Sequence, residues 1–262
     1  MPKLPFCVYA SLPKLIVSIT LTTCALLPTY GRSTDSQSSI NPRELAERIR
    51  PEILASLAAM EVPGAVVLLR TPAGEWLEAF GLRERGRKVK VSINDHFRVG
   101  SVTKTWTATV ILQMVQEGLI GLSDPVSRHV EGVPNGDKIT IEHLLTMRSG
   151  LNNYTTDERF LQRLFTQPYR SQEPDQLLSI ALGKPVLFEP GAEFNYCNTN
   201  TLLLGKIIER RTQSSLQREF GRRLFAPLGL KRSFLPPLED TALPSPYVHG
   251  YTFDEGPLAA KT

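Results

Sequence analysis

A change of hydrophobic period near Ser101 narrows the fold more than any other feature of this chain. Before it, Ala65–Arg70 and Glu75–Phe80 are β-prone runs on either side of Pro72-Ala73-Gly74, a pattern that predicts a hairpin. Gly81–Val91 is a charged connection. After it, the period is helical. Trp106, Val110 and Met114 recur every fourth residue, with Ile111 and Val115 on the next row, and Gly118 stops the run. Further helices are predicted from a Thr140 cap through His143 to Gly150, from a Ser171 cap to Gly183, from about Asn200 to Arg211, and from Ser214 to Phe225. An earlier helix opens at Asn41-Pro42, with Leu45, Ile49, Ile53 and Leu57 on one face; Pro51 should kink or restart it. The sum is an α/β chain of the α+β kind, a hairpin followed by a helical region.

The chain has 262 residues, enough for one large domain or two intimate ones. Its net charge is +4, but Asp and Glu lie among the basic residues and no Lys/Arg block forms, so nucleic acid is not an expected partner. Three cysteines make no disulfide framework, and no Cys/His cluster has metal-ligand spacing. No cofactor and no metal are expected. Lys3 and Lys14 precede an apolar stretch, Leu15–Leu27, too short for a comfortable transmembrane span. Residues 1–31 therefore read as a leader: a cleaved secretory signal with small residues at Thr29 and Gly31, a lipoprotein leader ending at Cys24, or an uncleaved anchor. Residues 32–40 read as a flexible tether, and 41–262 as the functional domain. The expected location is exported: secreted, periplasmic or attached to the cell envelope, with membrane contact only through the leader or a lipid.

Two motifs carry chemistry. In Gly100-Ser101-Val102-Thr103-Lys104, Ser101 falls in a first helical turn, and residues three apart on a helix share a face. The Lys104 ammonium can reach the Ser101 hydroxyl, which is what a serine nucleophile needs, because a free hydroxyl must lose its proton to a neighbour. The Ser101 backbone N–H at a helix N-terminus can also stabilise a developing oxyanion. The bland alternative makes Ser101 a helix cap and Lys104 a solvated lysine. The second motif is Tyr196-Cys197-Asn198, after Glu189-Pro190-Gly191. In extended chain Tyr196 and Asn198 face one way and Cys197 the other. Tyr196 could exchange a proton and Asn198 could hydrogen-bond a substrate amide; alternatively Tyr196 is a half-buried aromatic and Asn198 a cap.

These motifs, in this order, resemble the β-lactamase and D-Ala-D-Ala carboxypeptidase type of serine hydrolase: Ser-x-x-Lys, then Tyr-x-Asn, with matching context over Phe97–Leu122, Ile139–Leu151 and Phe188–Gly205. The resemblance implies a β-lactamase/transpeptidase-like fold, a helical region with an antiparallel sheet. It implies that Ser101 is acylated, that Lys104 and Tyr196 share the proton transfers, and that Asn198 positions substrate or Lys104. The implied substrate is a small molecule or a peptidoglycan peptide, with β-lactams as inhibitors or substrates. Esterase or β-lactamase chemistry in the same fold, and a non-catalytic remnant that binds cell-wall fragments, are the competing readings. The family's third motif, a Lys-Thr-Gly or His-x-Gly strand, finds no match. His249-Gly250-Tyr251 fits a different landmark. The resemblance therefore implies an incomplete sheet, a C-terminally truncated domain and weak or absent activity. It also places His143 on a structural helix and Arg98 in the framework.

Overall fold

The computed structural model describes residues 40–251, apart from Tyr169 and Thr241. The leader, most of the tether, Cys7 and Cys24 lie outside the described residues. Backbone contacts group the described chain into two compact units, residues 40–97 with 243–249, and residues 98–242 with 250–251. No helix among the described residues is long and apolar enough to cross a membrane.

The first unit holds α1 (Pro42–Ala59) and the antiparallel pair β1 (Gly64–Thr71) and β2 (Gly74–Gly81). Asn41 caps α1 by accepting a hydrogen bond from the Arg43 N–H at 2.9 Å, with Pro42 at a position where its missing N–H costs nothing. Leu45, Ile49, Ile53 and Leu57 are half-buried along one face. The expected restart at Pro51 is absent: α1 runs through it as one helix. Pro51 is exposed, so the carbonyl it leaves unbonded can turn to water. The hairpin has the predicted turn, with Thr71 opposite Gly74 and Leu69 opposite Trp76. Arg50 of α1 grips Glu78 of β2 through two bonds of 2.6 Å. His249 belongs to this unit, its Nε2 3.5 Å from Glu84.

The second unit is helical. A 3-10 turn at Gly100–Val102 leads into α2 (Thr103–Gln116), followed by α3 (Ile141–Leu145), α4 (Glu158–Thr166), α5 (Pro174–Leu182), α6 (Asn198–Thr212) and α7 (Leu216–Phe220). Val110, Ile111 and Met114 of α2 are wholly buried with Ile141 and Leu144 of α3, Leu203, Ile207 and Ile208 of α6, and Phe220 of α7. The α2 and α6 apolar faces therefore meet in the core, which fixes the N-terminal ends of the two helices. Those ends carry the two motifs.

Two helix expectations are corrected, and one helix is new. The helix from Thr140 stops at Leu145, because Met147 takes a left-handed φ of 58° and the chain turns away. The helix expected from Ser171 begins at Pro174. Ser171 does not cap it; its hydroxyl donates to the Leu238 carbonyl. And α4, capped by Asp157 accepting from the Arg159 N–H at 3.0 Å, was not anticipated.

Candidate active site

Gly100 sits in the left-handed region at φ 51°, which lets the chain turn sharply into the 3-10 turn ahead of α2. Ser101 lies in that turn and Lys104 in the first turn of α2. Lys104 Nζ donates to Ser101 Oγ at 3.1 Å. The Ser101 side chain caps nothing, since neither the 3-10 turn nor α2 has a side-chain cap. Both residues are half-buried. The bland reading of a capping serine beside a solvated lysine does not describe this arrangement.

Tyr196 arrives from a distant segment. The stretch before it is laced to the turn after α3 by three backbone bonds: Leu187 N–H to the Gly150 carbonyl at 2.7 Å, Gly191 N–H to Arg148 at 2.8 Å and Asn195 N–H to Met147 at 2.9 Å. Gly150 is needed for this approach. A Cβ there would lie 2.1 Å from the Phe188 carbonyl oxygen, and its φ is 75°. Held this way, the Tyr196 hydroxyl donates to Ser101 Oγ at 2.8 Å. The Lys104 ammonium also lies over the Tyr196 ring, 5.0 Å from its centroid, within cation–π reach. Among the described residues Lys104 meets no carboxylate within ion-pair distance. The Ser101 oxygen is thus flanked by two groups able to exchange protons with it.

Cys197 turns the other way. It is buried, its Sγ 3.5 Å from the Leu151 and Asn152 carbonyls, and burial pushes its thiol pKa up. Asn198 is not a free extended residue; it is the first residue of α6. Its Nδ2 reaches Thr155 Oγ1 at 3.1 Å and Asn153 Oδ1 at 3.4 Å, so its amide shares no partner with Tyr196. Below it, Asn200 is fully buried, accepting from the Ser149 hydroxyl at 2.7 Å and donating to the Leu144 carbonyl at 3.2 Å. Thr199 donates to the Asn152 carbonyl at 2.7 Å and accepts from the Tyr154 N–H at 3.2 Å. This network fastens the start of α6 to residues 144–155. Asn200→Ala would leave the Ser149 hydroxyl hydrogen without its acceptor and take one donor from the Leu144 carbonyl, which keeps the Met147 N–H. A loss of about 1–3 kcal/mol is expected in urea unfolding, for the one group left unsatisfied.

The sequence reading stopped at Leu151 and missed the next four residues, Asn152 to Thr155, which hold the Tyr-x-Asn motif. The Asn-Asn pair at 152–153 was the available signal, because side chains of that type bond local backbone readily. Tyr154 is a half-buried neighbour of the site. Desolvation, helped by nearby Cys197 and Tyr196, pushes its hydroxyl up to about 12, so it stays neutral. Its ring meets Phe160 of α4 edge-on at 5.1 Å. His143 takes part in helix capping. Thr140 accepts from the His143 N–H, and His143 Nδ1 accepts from the Thr140 N–H, both at 3.2 Å. Arg98 is half-buried, with desolvation pulling its pKa down and the Asp240 carboxylate opposing.

A sequence model of the β-lactamase family matches residues 55–261. The chain belongs to the β-lactamase family. It is 30% identical over 178 residues to "Protein flp" of Staphylococcus aureus strain MW2, a match that takes in 66% of this chain and 34% of that protein. Among solved structures, it is similar to a D-stereospecific amidohydrolase from Streptomyces sp., at 38% identity and a TM-score of 0.62, covering 69% of this chain and 54% of that one. It is also similar to an octameric penicillin-binding protein homologue from Pyrococcus abyssi, at 27% identity and a TM-score of 0.61, covering 71% and 44%. The chain thus spans about a third of the length of the curated relative and about half of the two solved chains.

Proposed function

We propose that this chain is a serine hydrolase that works through an acyl-enzyme on Ser101, with an amide of D-amino-acyl type as substrate and D-alanyl-D-alanine carboxypeptidase-like cleavage as its reaction. The observation that carries the reading is the Ser101 oxygen held between Lys104 Nζ at 3.1 Å and the Tyr196 hydroxyl at 2.8 Å. For attack, one member of the Lys104–Tyr196 pair must first be in its base form, an amine or a phenolate; Ser101 Oγ then bonds the substrate carbonyl carbon as its proton passes to that base. The carbonyl becomes an oxyanion beside the Ser101 backbone N–H at the helix start. Collapse expels the amine, which takes a proton back from the same pair. Water then attacks the ester, the pair again removing a proton, and free Ser101 returns. Asn198 binds substrate at the rim of the site. The similarity to a D-stereospecific amidohydrolase supports an amide substrate with a D-centre. An exported chain would meet such peptides in the cell envelope.

The substrate class is tested by comparing turnover of a D-alanyl-D-alanine peptide, its L-alanyl-L-alanine counterpart, a cephalosporin and a short-chain ester. Release of D-alanine from the D,D-peptide alone is expected, since a site shaped to one hand leaves its hydrogen bonds unmade with the other. Turnover restricted to the ester would make the chain an esterase, and turnover restricted to the cephalosporin a β-lactamase.

A further inference from the structure

We propose that the surface around the end of α7 docks on an anionic lipid bilayer, with Leu230 and Phe234 entering the apolar boundary and Arg218 and Lys231 meeting the headgroups. The proposal goes beyond the hydrolase reading and does not rest on it. The sequence predicts membrane contact only through the leader or a lipid; this surface is a further contact, and all of it belongs to the second unit. α7 runs on into a π-helical turn, Gly221–Phe225, and residues 226–235 follow. Between them lies an open pocket of about 500 Å³, its apolar lining made by Phe225, Leu230, Phe234 and Leu235. Leu230 is 39% exposed and Phe234 40%, and Leu228, in the same turn as Leu230, reaches 67%. Large apolar side chains gathered in this way mark an interaction surface, which single scattered leucines do not.

Charge says what covers it. Residues 217–235 hold Arg218, Arg222, Arg223, Lys231 and Arg232 against one acid, Glu219. Glu219 is buried, and Arg222 and Arg223 both hold its carboxylate at 2.7 Å; Arg223 also holds Glu117 at 2.6 Å. Those four charges cancel. Arg218 and Lys231 are exposed, and among the described residues neither meets a carboxylate within ion-pair distance. Of the acids flanking the stretch, Glu209 and Asp240 accept from the Leu216 and Ala242 N–H groups at 2.9 Å. An apolar pocket rimmed by uncancelled positive charge matches acyl chains beneath anionic headgroups. A second copy of the chain fits worse, because a two-fold contact sets the same cations against each other. A peptide strand finds no backbone to pair with there: the N–H groups of Leu228, Gly229 and Leu230 already go to the Leu224, Ala226 and Phe225 carbonyls.

The test uses the full chain carrying Leu230→Trp and vesicles with brominated acyl chains, which quench a tryptophan that enters them. The added emission is the difference from wild type, so Trp76 and Trp106 drop out. Phosphatidylglycerol vesicles are expected to quench it and phosphatidylcholine vesicles to leave it bright. With Arg218→Gln and Lys231→Gln added, the ratio of quenched to unquenched emission at a fixed phosphatidylglycerol concentration is expected to fall about thirtyfold, each cation near such a surface being worth about fivefold in binding. Residues 1–31 are common to both proteins, so their own membrane contact cancels from that comparison. The three substituted side chains are exposed, so urea midpoints should match wild type; if Leu230→Trp lowers its midpoint, Phe234→Trp carries the probe. No quenching by phosphatidylglycerol, equal quenching by both lipids, or a ratio unchanged by the two Gln substitutions overturns the proposal. A mass that doubles with protein concentration, lost in Leu230→Asp and unaccompanied by quenching, also overturns it and gives the surface to a second copy.

Discussion

Ser101→Ala is expected to lower kcat on any substrate the chain turns over by about 10⁶-fold, the loss seen when a serine nucleophile is removed from a site whose members act as a unit. Deleting Oγ removes the atom that both Lys104 Nζ and the Tyr196 hydroxyl contact. No other hydroxyl takes its place in those contacts, and Cys197 is buried and faces the Leu151 and Asn152 carbonyls. Stability should change little, because the Ser101 side chain caps no helix. The check is steady-state turnover beside a urea unfolding curve. A fall of less than tenfold with an unchanged curve would mean that Ser101 is a bystander.

Phe220→Ala is the second large effect, and it acts on the fold. The Phe220 ring is wholly buried, with Trp106 edge-on at 6.0 Å and Phe225 at 6.1 Å. Truncation removes its buried area and leaves a cavity that rigid neighbouring helices cannot fill. The expected cost is about 3–5 kcal/mol. With a urea slope of about 2 kcal/mol per molar, the midpoint falls by about 2 M. Trp106 lies two residues beyond Lys104 on α2, so the void also loosens the helix that presents the nucleophile. Turnover should therefore fall at denaturant concentrations where wild type is still folded. A midpoint shift under 0.5 M, against the ~2 M that cavity creation predicts, would mean that α7 does not close the core.

The pair at Ser101 and Lys104 was legible because it depends only on helix geometry, which a spacing of three encodes. Tyr196 was legible for a similar reason: it stands in an extended stretch, and Cys197 duly points the other way. Asn198 was read less well. Its residue type marked it, but its partners Asn153 and Thr155 lie 45 and 43 residues away in sequence, and no local period encodes them. They meet through the backbone lacing of residues 147–150 to 187–195, a tertiary arrangement that needs Gly150 without a side chain. The helix starts failed where a plausible cap had a better partner, as with Ser171 and the Leu238 carbonyl. The continuous α1 shows the reverse case: Pro51 is exposed, so the carbonyl it leaves unbonded can turn to water, and the helix need not restart there.

The proposed chemistry turns on one covalent bond, and the measurement that tests it most directly is peptide mapping after brief incubation with a slowly released acyl probe such as benzylpenicillin. Trypsin cuts after Arg98 and after Lys104, which isolates Ser101 on the short peptide from Val99 to Lys104. The prediction is a mass gain on that peptide equal to the whole antibiotic, absent in Ser101→Ala. A gain on any other peptide, or none in protein shown to be folded by its unfolding curve, would contradict an acyl-enzyme at Ser101.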